Sequence, residues 1–328
     1  MKILFCQLRN HGDIIRTFPL MDAIKSFHPE WEIGYTCFPE MMDTCRLCNS
    51  IDDIIPQKRF SPVIDTQGGT RILNCNILAE SIDIVRREKY DIYVDLHGVF
   101  QSAVFGALCG IETRLGRSKH TAKDGAHYFY TDICEIQLRE INRMERHFMV
   151  INRLFPEITP IQSKSQTNMD GKILIFPGSS SAGGLKRWPI DSYIMVGDAL
   201  SKNHEVEYVI GPEEYELGSR LLSRNCNNVK QIKTWKQAIE VIKDSKLVLG
   251  NDGAYLHIAI WQNVPVVMLC GPTSPIINGV WKYGEGCTIG SSVECKCPNA
   301  WGGCCDKDII CINSISVDAV LEKVKKYV

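Results

Sequence analysis

Residues 246–275 read KLVLGNDGAYLHIAIWQNVPVVMLCGPTSP. Lys246–Leu249 is a short unbroken apolar run, Gly250-Asn251-Asp252-Gly253 is a turn, a helical stretch follows near 254–262, and Pro265–Leu269 is a second apolar run. A strand wetted on one face alternates apolar and polar residues, whereas a strand buried on both faces reads as a continuous apolar run. Two such runs joined by a helix make a parallel β-α-β unit, so this stretch predicts an α/β fold with a covered parallel sheet.

Working outward, the same scheme recurs. Upstream lie strand-like runs at Lys172–Phe176 and Val206–Ile210, with helices near 190–202, 213–224 and 235–244. The first half offers strands at Ile3–Leu8, Glu32–Phe38 and Asp91–Leu96, with helical patterns at about 13–27, 76–89 and 140–154; Val317–Val328 reads as a terminal helix. Between the halves, Phe155–Gly171 carries Pro156, Pro160 and the polar run Gln162–Asp170, a linker by composition. The expectation is two Rossmann-like domains, 1–160 and 171–328, with a cleft between them. Ligands of open parallel sheets bind at the carboxyl ends of the strands, so the loops there are where chemistry is sought.

Composition narrows the class. The chain has 328 residues, enough for two cores, and its 45% hydrophobic content suits a globular protein. With 37 basic against 38 acidic side chains it lacks the excess charge of a nucleic-acid binder or a polybasic membrane anchor. No apolar run approaches transmembrane length, and Met1–Leu8 is too short for a signal-peptide core. A cytoplasmic protein is expected, at most peripheral to the inner membrane. In that setting the 15 cysteines read as metal ligands or small buried hydrophobes rather than disulfides; Cys6, Cys37, Cys109, Cys226 and Cys270 fall in or beside apolar stretches.

Three loops carry candidate chemistry. Arg9-Asn10-His11-Gly12-Asp13 follows the first strand with a single glycine, which disfavours a dinucleotide fingerprint. Asp13 there reads as a helix N-cap or a functional carboxylate, and His11 as an acid/base or loop surface. Pro177–Pro189, with Gly178, Ser179, Ser180, Ser181, Gly183, Gly184 and Lys186, offers amides, hydroxyls and a cation to a phosphate. In the opening stretch, the amides of Gly253 and Ala254 begin a helix that favours an anion, and Asp252 and His257 stand close enough in sequence to hold one ligand. Glu214 and Glu216 follow another strand and suit ribose hydroxyls, and Gly271–Pro275 is a tight turn at the next.

Cys295, Cys297, Cys304, Cys305 and Cys311 crowd into a Gly- and Pro-rich segment, a set able to wrap one tetrahedral metal, with zinc or iron as the candidate structural ion. Asp306-Lys307-Asp308 lies inside that segment and is not read as a catalytic metal site. Cys45 and Cys48 form a weaker pair, with Cys37 nearby in sequence.

Three of these motifs, in this order, resemble glycosyltransferase family 9, the ADP-heptose:lipopolysaccharide heptosyltransferases. The opening MKILFCQLRNHGDIIRTFPLMDAIKSFHPEWEI is similar to the family's strand, Gly-Asp turn and first helix. IFPGSSSAGGLKRWPIDSYIMVGDAL resembles its phosphate loop, and LVLGNDGAYLHIAIWQNVPVVMLCGPTSP its donor-binding strand, turn and helix. The resemblance implies a GT-B fold and inverting transfer without a catalytic divalent metal. It implies that Asp13 is the general base, and a raised carboxyl pKa would suit that role. Lys186 would neutralise the diphosphate leaving group, helped by Ser179–Ser181 and the amides at Gly253 and Ala254, with Gly12 and Gly178 among the donor-binding residues. Asp252 and His257 would hold the donor, with Glu214 or Glu216 at the ribose. The implied partners are ADP-heptose and a lipopolysaccharide-core or protein acceptor. A member using another nucleotide sugar, or a weakly active, metal-stabilised sugar-nucleotide-binding protein, are the alternatives. The chain departs from the family at Asp252-Gly253-Ala254, where a hydroxyl is usual, at bulky Tyr255, and at Gln57–Asn76, which reads as an acceptor-side insertion. Cysteines near the C-terminal position recur in some relatives, including protein-modifying heptosyltransferases that bind iron.

Overall fold

The computed structural model describes residues 1–60, 62–64, 71–73, 75–137, 140–161, 168–179, 181–293 and 310–328. It divides into two units, Met1–Ile161 and Gln162–Val328.

Unit one runs β1 (Lys2–Cys6), α1 (His11–Ile15), α2 (Phe18–Phe27), β2 (Glu32–Cys37), α3 (Met42–Cys45), β3 (Asp53–Pro56), β4 (Pro62–Ile64), β5 (Arg71–Leu73), α4 (Ala79–Glu88), β6 (Ile92–Asp95), α5 (Phe100–Leu108), β7 (Thr113–Arg117), β8 (Asp132–Cys134) and α6 (Arg143–Ile151). Six strands form a sheet in the order β3-β2-β1-β6-β7-β8, every pair parallel. β4 and β5 pair separately as an antiparallel ribbon inside the Gln57–Asn76 region.

Unit two runs β9 (Ile173–Phe176), α7 (Ile190–Leu200), β10 (Val206–Ile210), α8 (Tyr215–Ser223), β11 (Val229–Gln231), α9 (Trp235–Lys243), β12 (Leu247–Asn251), α10 (Ala254–Trp261), β13 (Val266–Cys270), α11 (Pro275–Asn278), β14 (Gly286–Gly290), α12 (Ile310–Asn313) and α13 (Val317–Val324). Its sheet repeats the first: β11-β10-β9-β12-β13-β14, all parallel.

The burial of the strands explains why the sequence pattern was readable. Every residue of β6, β9, β12 and β13 is buried, so water-facing alternation has no place in them. In both sheets the strand order reverses beside the first strand: β1 has β2 on one side and β6 on the other, and β9 has β10 and β12. Connections there leave in opposite directions and open a crevice at the carboxyl ends, the place where such sheets bind ligands. Asp13 and His97 follow β1 and β6; Lys186 and Asp252 follow β9 and β12.

Two local expectations change. The single helix expected at about 13–27 is broken: α1 ends at Ile15, and α2 starts at Phe18 with Pro19 in its first turn. Proline lacks the donor that would continue α1 and suits a new start. The N-cap of α1 is Asn10, not Asp13, which lies inside the first turn and makes no cap hydrogen bond.

Candidate active site

In unit one the turn after β1 is held in an unusual backbone state. Asn10 has φ +68°, in the left-handed region that costs most side chains about 1 kcal/mol or more. Its side-chain amide donates to Asp13 Oδ2 at 3.0 Å. The other oxygen, Oδ1, accepts from Arg16 at 2.8 Å and from Arg143 at 2.5 Å. Arg143 arrives from the first turn of α6, 130 residues away. Burial alone pushes the Asp13 carboxyl up; the Arg143 and Arg16 charges, the Asn10 amide and His97 outweigh it and hold the carboxyl well below the usual carboxylate range. The raised pKa expected from the family role is therefore replaced by its opposite. Asp13 is an ionised, oriented carboxylate at any physiological pH.

The turn after β6 braces this site. Asp95, fully buried, accepts from Ser102 Oγ at 2.6 Å, Tyr130 Oη at 2.7 Å and the backbone amides of His97 and Gly98. Gly98 takes φ +71°, and a Cβ there would overlap the Arg117 guanidinium, so only glycine serves. Arg117 NH2 donates to the His97 carbonyl at 2.5 Å, and Gln7 Nε2 donates to His97 Nδ1 at 2.9 Å. That bond fixes the neutral tautomer with its proton on Nε2, and burial pushes the imidazole down to about 4. His11 turns the other way: its Nδ1 lies 2.6 Å from Thr44 Oγ1, which makes it a bridge to α3.

In unit two, Lys186, Asp252 and His257 come together as the motif spacing suggested. Lys186 Nζ donates to Asp252 Oδ2 at 3.0 Å, and His257 Nε2 lies 3.2 Å from Oδ1. Asp252 and His257 are 3% and 1% exposed, so the pair is anchored beneath the loop rather than offered on its surface. Asn251, one residue earlier, organises the rest. Its carbonyl oxygen accepts from the Trp188 amide and from Tyr193 Oη, each at 2.9 Å. Its NH2 group donates to the Pro177 and Gly178 carbonyls at 3.0 and 3.1 Å. All four capacities of a buried amide are used, and both ends of the Gly-Ser loop are pinned to β12.

The other expected residues divide. Ser179 Oγ donates to the Gly183 carbonyl and accepts from Arg187, closing the loop on itself. Ser180 and the side chain of Ser181 lie outside the described residues. Glu214 accepts from the Gly211 amide at 2.7 Å, and its carboxylate lies so close to Gly178 that a Cβ there would overlap it. Glu216 points elsewhere, exposed on the first turn of α8. Gly253 is the N-cap of α10 and Ala254 its first residue, so their amides head that helix; Gly12 is the second residue of α1. Tyr255 stacks on Phe176 with centroids 5.0 Å apart and meets Trp235 at 5.4 Å, so its bulk makes an aromatic wall at the head of α10.

The family model for glycosyltransferase family 9 (heptosyltransferase) matches residues 81–299, which spans α4 to beyond β14 and includes the Lys186 and Asp252 loops. The chain belongs to glycosyltransferase family 9. Among curated relatives of this glycosyltransferase, lipopolysaccharide heptosyltransferase 1 of Campylobacter coli is 23% identical, over 99% of this chain and 98% of that one. The solved structure of the E. coli ADP-heptose lipopolysaccharide heptosyltransferase II is similar throughout, with TM-score 0.72, 18% identity and coverage of 100% and 98%. The iron-containing dodecameric glycosyltransferase TibC of enterotoxigenic E. coli shares the fold at TM-score 0.55 and 11% identity, over 99% of this chain and 78% of that one. Two parallel six-stranded Rossmann-like units are the GT-B architecture of this enzyme family.

The cysteine segment is a separate matter in this family member. Cys295, Cys297, Cys304 and Cys305 lie outside the described residues, and Cys311 is buried in α12. Among the described residues no group of three or more His, Cys, Asp or Glu side chains is placed to hold a metal. Cys45 and Cys37 do meet, sulfur to sulfur at 3.6 Å, while Cys48 turns to Asp22. Among the described residues no helix is long and apolar enough to cross a membrane.

Sequence reading missed Arg117, Arg143, Arg146 and His97 on one side and the bracing role of Asn251 on the other. A signal existed for the first group: Asn142-Arg-Met-Glu-Arg-His147 puts two arginines three apart at a helix start, and so on one face.

Proposed function

We propose that the chain transfers heptose from ADP-heptose to a hydroxyl of a lipopolysaccharide core or a protein, with inversion and without a catalytic divalent metal. The observation that carries this reading is the Lys186–Asp252–His257 cluster at the head of α10, joined by Asn251 to a Gly-Ser loop of phosphate-binding composition. Family membership over that segment supports the same reading.

In this scheme unit two holds the donor. The amides of Gly253 and Ala254 and the Lys186 ammonium meet the diphosphate, where charge develops as its bond to the anomeric carbon breaks. Donors fixed in advance stabilise that charge without reorganising, and Asp252 fixes Lys186. Glu214, beside Gly178, takes the ribose contact in preference to exposed Glu216. Unit one supplies the base: the acceptor oxygen attacks the anomeric carbon, and its proton passes to Asp13. A carboxylate held ionised is a weak base, so it acts late, when the attacking hydroxyl has already become acidic.

A thermal-shift series over nucleotide sugars, paired with an ADP-release assay, tests the proposal. ADP-heptose should raise the melting temperature with saturation, and ADP release should need an acceptor. A clear shift with a UDP-sugar and none with ADP-sugars would overturn the donor assignment.

A further inference from the structure

Two polar groups of the unit-two site, Glu214 and Tyr255, keep hydrogen-bonding capacity that the fold does not use. Glu214 is the N-cap of α8 and Tyr255 the second residue of α10, yet the fold brings them to one place. A methyl group built on Gly211, at the end of β10, would lie 3.1 Å from Tyr255 Oη and 3.3 Å from Glu214 Oε2. The two oxygens therefore flank one small space. Glu214 Oε2 accepts from the Gly211 amide at 2.7 Å, while Oε1 accepts from no group among the described residues. Tyr255 Oη is likewise unbonded among the described residues, although its ring is held by Phe176 and Trp235. Burial and the Glu214 charge push its phenol up to about 12, so it keeps its proton and stands as a donor.

Packing explains the ring but not the hydroxyl, since phenylalanine would build the same wall. A tyrosine hydroxyl drawn out of water normally finds a partner, and Glu214 is at hand, yet no hydrogen bond joins the two. The glycines on both sides of the carboxylate point the same way. A Cβ at Gly178 would overlap Glu214, and one at Gly211 would crowd both oxygens, so bare backbone keeps the space open. Gly178 opens the Gly-Ser loop proposed to hold the diphosphate. The pair thus stands at the carboxyl ends of β9 and β10, where the sugar next to that diphosphate would lie. A carboxylate only accepts hydrogen bonds, a protonated phenol donates one, and a sugar hydroxyl both donates and accepts. Two adjacent hydroxyls would use the free Oε1 and the free phenol together.

We infer that Tyr255 is a specificity-determining residue of the donor site: with Glu214 it reads the vicinal diol of the nucleotide's ribose, and so selects ribonucleotide sugars over their deoxyribose counterparts. This rests on the reading of the Gly-Ser loop and Lys186 as the diphosphate site. Tyr255 is bulkier than the residue usual at its position in the family, so the contact belongs to this chain rather than to the common pattern. It also returns a hydroxyl to a turn that lacks one at Asp252-Gly253-Ala254.

The test uses the full chain as wild type, Tyr255→Phe and Glu214→Gln, titrated in a calorimeter with ADP, 2′-deoxy-ADP and 3′-deoxy-ADP. Removing one hydroxyl from the probe should weaken binding to wild type by about five-fold or more, the weight of one hydrogen bond left unmade. Tyr255→Phe should show a loss of that size already with ADP and no further loss with one of the deoxy probes, which names the hydroxyl that Tyr255 reads. Glu214→Gln should lose more than Tyr255→Phe with ADP, because a charged acceptor is gone. In transfer, Tyr255→Phe should raise the donor KM and leave kcat near wild type. Its urea-unfolding midpoint should match wild type, since no bond within the protein is lost; a hydroxyl with a structural role would lower it and overturn the inference. Equal binding of the three probes by wild type, or equal ADP affinity in wild type and Tyr255→Phe, overturns the inference and leaves the donor site standing. If wild type binds UDP and not ADP, the proposed donor fails instead, and the same comparison with UDP and its deoxy forms decides the diol pair by itself. Binding of neither nucleotide overturns both.

Discussion

The two units share one sheet, strand for strand, and treat charge in opposite ways. At the switch point of unit two, Lys186 is answered by Asp252, Asp252 by His257, and the loop is tied down by Asn251. At the switch point of unit one, Asp13 is outnumbered by arginines, and several of their donors are left without partners. A site whose charges are paired in advance can bind by offering amides and a fixed cation. On the proposed reading, the same architecture carries a donor site whose charges are paired in advance and an acceptor-side site in which arginines outnumber the carboxylate.

The largest expected effect lies at Asp13, the carboxylate proposed as the base. Asp13→Ala should reduce transfer by about 10²- to 10⁴-fold, the usual weight of general acid–base catalysis. ADP-heptose should still raise its melting temperature as in wild type. Normal transfer in the variant would remove Asp13 from the mechanism, and loss of the thermal shift would erase the division of labour between the units. Next comes Lys186→Met. Removing one preorganised donor to a developing charge costs about 10²- to 10³-fold in kcat. Here the ADP-heptose shift should shrink too. An undiminished shift and an unchanged kcat would take Lys186 out of the proposed donor site.

The contrast also explains what could be read from the chain alone. β9, β12 and β13 are buried on both faces and announce themselves as apolar runs, and the loops after them have glycines and serines of recognisable spacing. β7 reads Thr-Arg-Leu-Gly-Arg, and β8, β11 and β14 are short or only half-buried, so period and composition gave no signal for them. Lys186, Asp252 and His257 could be singled out because they lie within motifs. Arg143 and Arg146 were not, because their meaning depends on a fold that brings residues 130 apart onto one carboxylate. Asp13 was placed correctly after β1 but with its electrostatics reversed, for the same reason. Charge state is set by neighbours, and those neighbours were not local.

Asn251→Ala addresses the charge-paired site without touching its charges. Four hydrogen bonds disappear, three of them buried, and the Pro177 and Gly178 carbonyls, the Trp188 amide and Tyr193 Oη lose a partner. With the cost of each stranded group at about 1–3 kcal/mol and partial relaxation, a net loss of about 2–4 kcal/mol is expected in urea unfolding. Donor affinity should fall with it, because the Gly-Ser loop loses its tether to β12. An unchanged unfolding midpoint would mean that the loop holds itself, through Ser179 and Arg187.

The smallest and most specific effect concerns the pH response of the arginine-rich site. The folded-state pKa of Asp13 lies below its unfolded value, so its contribution to stability is present above the unfolded pKa and fades only as pH falls through the folded one. His97 is displaced in the same direction, to about 4. It favours the folded state above its unfolded pKa of about 6.5, and that support is lost as pH falls from there toward 4. Melting temperature should therefore drop between those two pH values, whereas kcat/KM corrected for folded protein should stay flat there, because Asp13 remains ionised. Arg143→Met removes one of the two guanidiniums on Asp13 Oδ1. The carboxyl should then move up, and an acid limb should enter the kcat/KM profile at higher pH than in wild type, by about one unit for a partly buried ion pair. A wild-type limb already near neutrality, abolished by Asp13→Asn, would mean that the carboxyl is raised after all. The arginines would then not hold Asp13 ionised, and the contrast between the two switch points would lose its electrostatic half.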